Sequence, residues 1–210
     1  MKPIQLAVLL SGSGRSLRNF LNRIDDRDLD ARVSVVVSSR ADALGLEYAR
    51  DAGIPAVVVE SRQFPDFVAM SDAIAAELEK HPVDLIALAG FMCFFRVPDK
   101  YLGRVMNIHP ALIPAFSGKG FYGHHVHEAV LEHGCKVTGC TVHFADNEYD
   151  HGPIILQQPV PVLDDDTPDT LAARVFEEEC LAYPEAIQLF AEGRLKIEGR
   201  RVRVLPKELP

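Results

Sequence analysis

The apolar positions of this chain fall into short unbroken runs separated by stretches with helical spacing. Ile4–Leu10 is an apolar run that breaks into Ser11-Gly12-Ser13-Gly14, the pattern of a buried parallel strand entering a glycine loop. Arg15–Ile24 then carries Leu17, Phe20, Leu21 and Ile24 on one helical stripe. Val33–Val37 predicts a second strand, Ala41 to about Ala52 an amphipathic helix closed by Gly53, and Ala56–Val59 a third strand. Asp66–Lys80 repeats the helical stripe through Phe67, Met70, Ile74 and Leu78, and Val83–Ala89 predicts a fourth strand ending at Gly90. Strands alternating with helices in this way mean βαβ units and a parallel sheet. Val105–His109 predicts a fifth strand. The second half changes character: a helix at Val126–Glu132, then strands at Val137–Phe144 and Ile154–Val160 close enough in sequence to pair antiparallel. Thr167–Phe190 reads as a long helix with Thr167 as N-cap and Pro168 in the first helical position. Val202–Val204 is a short last strand or an ordered tail. The expectation is an α/β fold: a single-domain, open, mostly parallel twisted sheet flanked by helices, with antiparallel strands in the C-terminal half.

Composition narrows the function. With 210 residues, 48% of them hydrophobic, the chain can bury a substantial core as one domain. A net charge of −8 argues against a nucleic-acid or membrane-surface partner, each of which needs a basic face. No apolar run reaches the roughly 18–20 residues of a membrane span. The N-terminus reads as a strand rather than a signal peptide, so the expected location is cytoplasmic. Cys93, Cys135, Cys140 and Cys180 show neither a CxxC spacing nor a disulfide framework and are expected as reduced thiols. A zinc site from Cys135, Cys140 and His133 or His143 lacks the spacing such sites use. His124, His125 and His127 have no patterned acidic partner, so no metal is expected.

Three constellations can carry chemistry. Ser11-Gly12-Ser13-Gly14-Arg15-Ser16 follows a strand and opens a helix, so backbone N–H groups and the positive helix end converge there. It has neither the Gly-Lys-Ser/Thr of a Walker loop nor the third glycine of a dinucleotide fingerprint. It suits a single phosphate monoester, or is a tight turn without ligand. In Met106-Asn107-Ile108-His109-Pro110, Asn107 and His109 alternate onto one face of a strand while Ile108 is expected to turn into the core. Pro110 ends pairing just beyond them, at a strand end where open α/β sheets bind ligands. An amide donor beside a titratable imidazole is a device for acyl chemistry. The third, His143 to Pro153, runs a strand into an acidic loop; any of Asp146, Glu148, Asp150 or their neighbours can face a site, and it can equally be a solvated loop. Gly118-Lys119-Gly120-Phe121-Tyr122-Gly123 is a lid or a connection, and Ile113-Pro114 a candidate cis bond.

Taken together these motifs resemble the folate-dependent formyltransferases. The Asn-x-His-Pro of 107–110 and the Asp-x-Gly-Pro of 150–153 belong to the wider family. The glycine-rich loop and Gly118–Gly123 resemble its glycinamide ribonucleotide branch, and the likeness runs through Leu88-Ala89-Gly90-Phe91-Met92, Thr141–Phe144 and Arg194-Leu195-Lys196. The resemblance implies a Rossmann-like formyltransferase fold, with a phosphate-binding half at about 1–100 and a folate-binding, catalytic half at about 101–210. It implies formyl transfer from 10-formyltetrahydrofolate to the glycine amine of phosphoribosylglycinamide, in purine biosynthesis. Asn107, His109 and Asp150 align with the family's catalytic three. Gly14, Arg15, Ser16 and Leu17 align with the phosphate loop, and Phe176, Glu177, Glu178 and Glu179 with the segment that receives the glycinamide end. Met92, Cys93, Phe94 and Phe95, with Asn107 and the loop Asp146, Asn147, Glu148, Tyr149 and Asp150, align with the folate site. The partners implied are small molecules, with the protein a monomer or homodimer.

The chemistry of the three groups agrees with that role. An amine attacking a formyl carbon develops negative charge on oxygen, to which the Asn107 amide and a protonated His109 can donate. Asp150 is expected to raise the His109 pKa and favour its charged form. The chain departs from the family pattern at Cys93 and Phe67, where members often carry Arg, and at Arg15, where a small polar residue is common. Arg62 or Arg96 can supply a missing guanidinium. The competing readings are a methionyl-tRNA formyltransferase, a formyltetrahydrofolate hydrolase, a sugar N-formyltransferase and a non-catalytic nucleotide- or folate-binding module. Length and acidic charge weigh against a tRNA substrate, and a pure binder has no use for an oxyanion donor paired with a proton relay.

Overall fold

A computed structural model describes residues 2–207. The chain forms two compact units, Met1–Met106 and Asn107–Pro210. In the first, the elements run β1 (Ile4–Leu10), α1 (Arg15–Asp25), β2 (Ala31–Ser38), α2 (Gly45–Asp51), β3 (Ala56–Val58), α3 (Phe67–Leu78) and β4 (Leu85–Leu88). β1 pairs in parallel with β2 and β4, and β2 with β3, giving the order β3-β2-β1-β4. Leu6 through Leu10 are fully buried, which is why β1 reads as a run rather than an alternation. Leu17 and Phe20 of α1 and Met70, Ile74 and Leu78 of α3 are buried, as their spacing predicts, whereas Leu21 and Ile24 are only half-buried and Phe67, in the first turn of α3, is 52% exposed. The side chain of Asp66 caps α3 by accepting from the Ala69 N–H at 2.8 Å.

The helix expected from Ala41 begins instead at Gly45. Ser38 Oγ takes the Arg40 N–H at 3.1 Å and the Arg40 guanidinium forks onto Asp42 at 2.9 and 2.7 Å. Local side-chain bonds of this kind hold a turn where helix would otherwise start. Two short 3-10 turns, Ser61–Gln63 and Asp99–Tyr101, carry no periodic signal.

β5 (Val105–His109) leads into the second unit, which continues with α4 (His124–Glu132), β6 (Val137–Phe144), β7 (Ile154–Pro161), α5 (Pro168–Ala191), β8 (Leu195–Glu198) and β9 (Arg201–Val204). β6 and β7 are antiparallel, as expected; β7 meets β9 in parallel and β8 pairs antiparallel with β9. β8 escapes sequence reading because Leu-Lys-Ile-Glu is half charged and none of it is buried. Its hairpin is closed by Gly199, at φ +61°. Thr167 caps α5 through a reciprocal pair: its hydroxyl accepts the Thr170 N–H at 3.2 Å while Thr170 Oγ1 accepts the Thr167 N–H at 2.9 Å. The fold is therefore α/β, mostly parallel, with its antiparallel strands towards the C-terminus. Among the described residues no helix is long and apolar enough to cross a membrane.

Candidate active site

In the first unit the C-terminal ends of three strands meet. β1 is followed by Ser11, whose buried hydroxyl lies 2.6 Å from that of Ser39 after β2 and accepts the Met92 N–H at 2.8 Å. Ser11 N–H in turn donates to the Gly90 carbonyl at 3.1 Å, beyond β4. Ser11, the first residue of the glycine-loop motif, and Ser39, which no motif singles out, thus share one hydrogen-bonded corner with the Met92 segment. Gly14 sits at φ +70° and starts α1, with no side-chain cap and no acidic residue in the first turn. A Cβ on Gly14 would lie 2.4 Å from the Cα of Gly45, so this turn is close packed as well as left-handed. The N-terminal amides of α1 are arranged as anion-binding helix ends are. Arg15 is exposed and Ser16 half-buried, whereas the Leu17 side chain is wholly in the core and has only its backbone to offer a ligand.

Beyond β4, Met92 is 56% exposed, Cys93 and Phe94 are half-buried and Phe95 is buried. Phe94 meets Phe67 edge to face, with centroids 5.2 Å apart. Phe67, one of the two positions where the resemblance led to an arginine being expected, thus packs on Phe94, and Met92 is a further exposed apolar side chain of this segment.

The second unit brings Asn107, His109 and Asp150 together. His109 is 4% exposed; its Nδ1 lies 3.5 Å from Asp150 Oδ2 and its Nε2 2.7 Å from the Phe116 carbonyl oxygen. A carbonyl only accepts, so Nε2 carries the hydrogen and, in the neutral ring, Nδ1 faces the carboxylate with its lone pair. Asn107 Nδ2 donates to His143 Nε2 at 3.2 Å and to Asp150 Oδ1 at 3.4 Å. Gly118 N–H donates to Asp150 Oδ2 at 2.9 Å. Asp150 itself stands at φ +51°, held at the end of the acidic loop by Gly152, where a Cβ would lie 1.8 Å from the Phe144 carbonyl oxygen. Of the candidate acids in that loop, Asp150 alone enters the cluster. Asp146 instead takes the Glu148 N–H at 2.9 Å and His151 Nδ1 at 2.8 Å.

The charge states differ from expectation. Burial pushes the His109 pKa down, and this outweighs the opposing pull of Asp150 and of the Phe116 carbonyl; His143 adds to the depression. His109 therefore rests neutral near pH 7, which corrects the reading of a pre-charged imidazole. Burial alone would raise the Asp150 pKa, but His143 and His109, in the forms that carry a proton towards the carboxylate, and the Gly118 N–H bring it below the usual carboxylate value. Ile108 is half-buried rather than a core residue, while its neighbour His109 is the deeper of the two.

His143, 2% exposed, is the member that sequence reasoning left out of the site. Its Nδ1–H donates to the Phe144 carbonyl at 2.9 Å, which leaves Nε2 to accept from Asn107. The signal was present: His143 is the penultimate residue of β6, which leads directly into the acidic loop. The turn after Pro110 is braced by Thr141, which accepts the Ile113 N–H at 3.1 Å and donates to the Ala111 carbonyl at 2.7 Å. Ile113-Pro114 is cis, as expected. On α5, Glu177 is exposed, while Phe176, Glu178 and Glu179 are half-buried. Asn147, Glu148 and Tyr149 are exposed at the loop tip.

The chain matches the formyl transferase family over residues 4–187. The phosphoribosylglycinamide formyltransferase of Haemophilus influenzae is 36% identical over 208 residues, covering 98% of this chain and 96% of that one. The trifunctional purine biosynthetic protein adenosine-3 of Gallus gallus is 41% identical over 92% of this chain, which spans only 19% of that longer protein. Among solved structures, glycinamide ribonucleotide transformylase 1 from Symbiobacterium toebii is similar with a TM-score of 0.91 and 48% identity, covering 98% of this chain and 95% of that one.

Proposed function

Because the chain belongs to the formyl transferase family, we propose that it is a phosphoribosylglycinamide formyltransferase of purine biosynthesis. It carries a formyl group from 10-formyltetrahydrofolate to the glycine amine by direct amine attack. The observation that carries this reading is the contact of Asp150 with both partners: Oδ2 is 3.5 Å from His109 Nδ1 and Oδ1 is 3.4 Å from the Asn107 amide. The full-length likeness to named phosphoribosylglycinamide formyltransferases supports the substrate.

The geometry supports the following assignment of roles. The folate, when bound, supplies the formyl group on its N10 nitrogen. Asn107 donates an N–H to the oxygen on which negative charge develops; its longer contact, to Asp150, is the one it can give up. Neutral His109 accepts the proton released by the attacking amine at Nδ1, the nitrogen that faces Asp150. Ionised Asp150 then stabilises the imidazolium across 3.5 Å, and the pair can return the proton to the departing folate nitrogen. The proton count balances, with one N–H bond lost at the amine and one gained at N10. No covalent enzyme intermediate enters this sequence.

For the folate, the apolar surface of Met92, Phe94 and Phe67 suits a flat ring system, with Cys93 and Phe95 completing the segment and Asp146 to Asp150 as the second contact region. The phosphate of the substrate is assigned to Gly14, Arg15, Ser16 and the Leu17 backbone, and its glycinamide end to Phe176–Glu179. We read residues 1–210 as one formyltransferase domain, since the family match runs through both compact units. The reading carries with it a cytoplasmic enzyme, monomeric or homodimeric, that handles small molecules.

An absorbance assay with a 10-formyl folate analogue, run with and without phosphoribosylglycinamide, tests it. Deformylated folate should form only when the amine is present. Release without the amine would make the protein a hydrolase, and silence in both would refute formyl transfer.

A further inference from the structure

The loop between Pro114 and Gly123 touches the catalytic pair twice. The Phe116 carbonyl accepts from His109 Nε2 at 2.7 Å, and two residues on, the Gly118 N–H donates to Asp150 Oδ2 at 2.9 Å. One short stretch of backbone thus offers an acceptor to the base and a donor to the acid. We propose that Phe116 is a positioning residue of this site: its carbonyl fixes His109 as the Nε2–H tautomer, so that Nδ1 is the nitrogen that exchanges protons beside Asp150.

The Phe116 side chain explains how the carbonyl is held there. Phe116 has φ +48°, a left-handed conformation that a residue with a Cβ rarely adopts unless its surroundings impose it. The ring supplies that constraint. It packs edge to face on Phe121 and on His133, with centroids 6.2 and 5.2 Å apart. His133 is itself pinned to the end of α4 by a 2.9 Å hydrogen bond from Nδ1 to the Ala129 carbonyl. Pro114 adds a local brace, its carbonyl accepting from the Ser117 hydroxyl at 2.9 Å. The strained turn is thus tied to a helix through aromatic contacts, and its carbonyl is aimed at a buried imidazole.

The consequence is chemical. Without an acceptor at Nε2, the neutral ring can place its hydrogen on Nδ1 and donate to Asp150, which leaves no lone pair where the proposed mechanism needs one. The second imidazole in the cluster behaves in the mirrored way: His143 carries its hydrogen on Nδ1, towards the Phe144 carbonyl, and presents Nε2. In both rings a main-chain carbonyl dictates which nitrogen remains available. That the choice matters for turnover rests on the formyl-transfer reading; the tautomer itself does not.

The first test is direct. Two-bond nitrogen–proton correlation spectra of the intact protein report which nitrogen of each histidine bears the hydrogen, in the absence of substrate and at a pH where His109 is neutral. The expected pattern for His109 is Nε2–H. A Nδ1–H pattern would overturn the proposal whatever the enzyme's activity. The second test uses Phe116→Ala and Phe116→Tyr. Removing the ring should mix the His109 tautomers and lower kcat by about 100-fold, with KM changed far less, as expected of a misplaced catalytic group. It should also move the acid limb of the pH–rate profile, and Phe116→Tyr should restore both. A Phe116→Ala enzyme with unaltered kcat and pH profile would refute the role. If that variant does not fold, the spectra of the parent protein still decide the tautomer. Absence of formyl transfer in the parent protein counts against the function, and leaves the spectral test standing.

Discussion

At the scale of single residues, the cluster divides its work by which atom each group has to spare. Asn107 has two N–H groups, both directed within the cluster, and only the longer contact is easily released to a developing oxyanion. Asn107→Ala should therefore lower kcat by about 10²–10³ with substrate binding nearly intact, measured by steady-state kinetics beside binding calorimetry. Asp150 is the one influence from a carboxylate that raises the His109 pKa, against the larger effect of burial. Asp150→Asn removes that support, so the His109 pKa falls further and the acid limb of the pH–rate profile shifts to lower pH. The rate itself should drop by about 10²-fold or more as the imidazolium loses its counter-charge. An unshifted limb would take Asp150 out of the proton path. These assignments were only partly legible beforehand. Asn107 and His109 share a strand face by simple alternation, but which acid joins them depends on how the 145–153 loop folds back, and local sequence holds no measure of that.

At the scale of elements, the strongest local signals are the ones the structure reproduces. Thr167-Pro168 marks the start of α5 because a hydroxyl and a missing N–H are both what a first turn needs. Thr167→Ala should cost about 1 kcal/mol and lower Tm by about 2–4 °C, read by thermal melting, without touching catalysis. Gly14 lies where two elements meet as well as where one begins. Gly14→Ala would force a Cβ to within 2.4 Å of Gly45 Cα and strain a φ of +70°. The variant should melt well below the parent and lose the stabilisation that saturating phosphoribosylglycinamide confers, about 2.7 kcal/mol at a hundredfold excess over Kd in the parent. A variant that keeps the full ligand-induced rise in Tm would remove the phosphate from this loop. The start of α2 and the whole of β8 were not legible, for different reasons. The first was displaced by side-chain bonds among Ser38, Arg40 and Asp42, and the second lacks the apolar alternation by which a strand announces itself.

At the scale of the whole molecule, buried histidines make stability depend on acidity. His109 sits below its ordinary pKa, and His127, buried on α4 with an unpartnered Nδ1, is pushed down to about 4 by burial and by the nearby His124 and His109. Between those depressed values and the ordinary 6.5, the unfolded chain binds more protons than the folded one, so stability rises with pH. Asp150, also depressed, adds a loss of the same sign further into acid. The expected Tm is level above about pH 6.5 and falls steadily between there and pH 4. His127→Gln should flatten part of that slope, and a slope unchanged by it would assign the acid lability elsewhere.

What the sequence determined by itself is everything set by neighbours along the chain. It settled the limits of β1, the buried stripes of α1 and α3, the cap of α5, the antiparallel β6–β7 pair, and the family to which the Asn-x-His-Pro and Asp-x-Gly-Pro elements belong. These follow from periodicity, from backbone permissions and from motifs whose residues stand close together. Tertiary structure decided what depends on distance and dielectric between residues far apart in the chain. It chose Asp150 over its acidic neighbours, brought in His143, tied Ser11 to Ser39, and left His109 neutral with its hydrogen turned towards Phe116. Desolvation and hydrogen-bond direction are properties of a packed interior, and they set the charge and tautomer on which the chemistry rests.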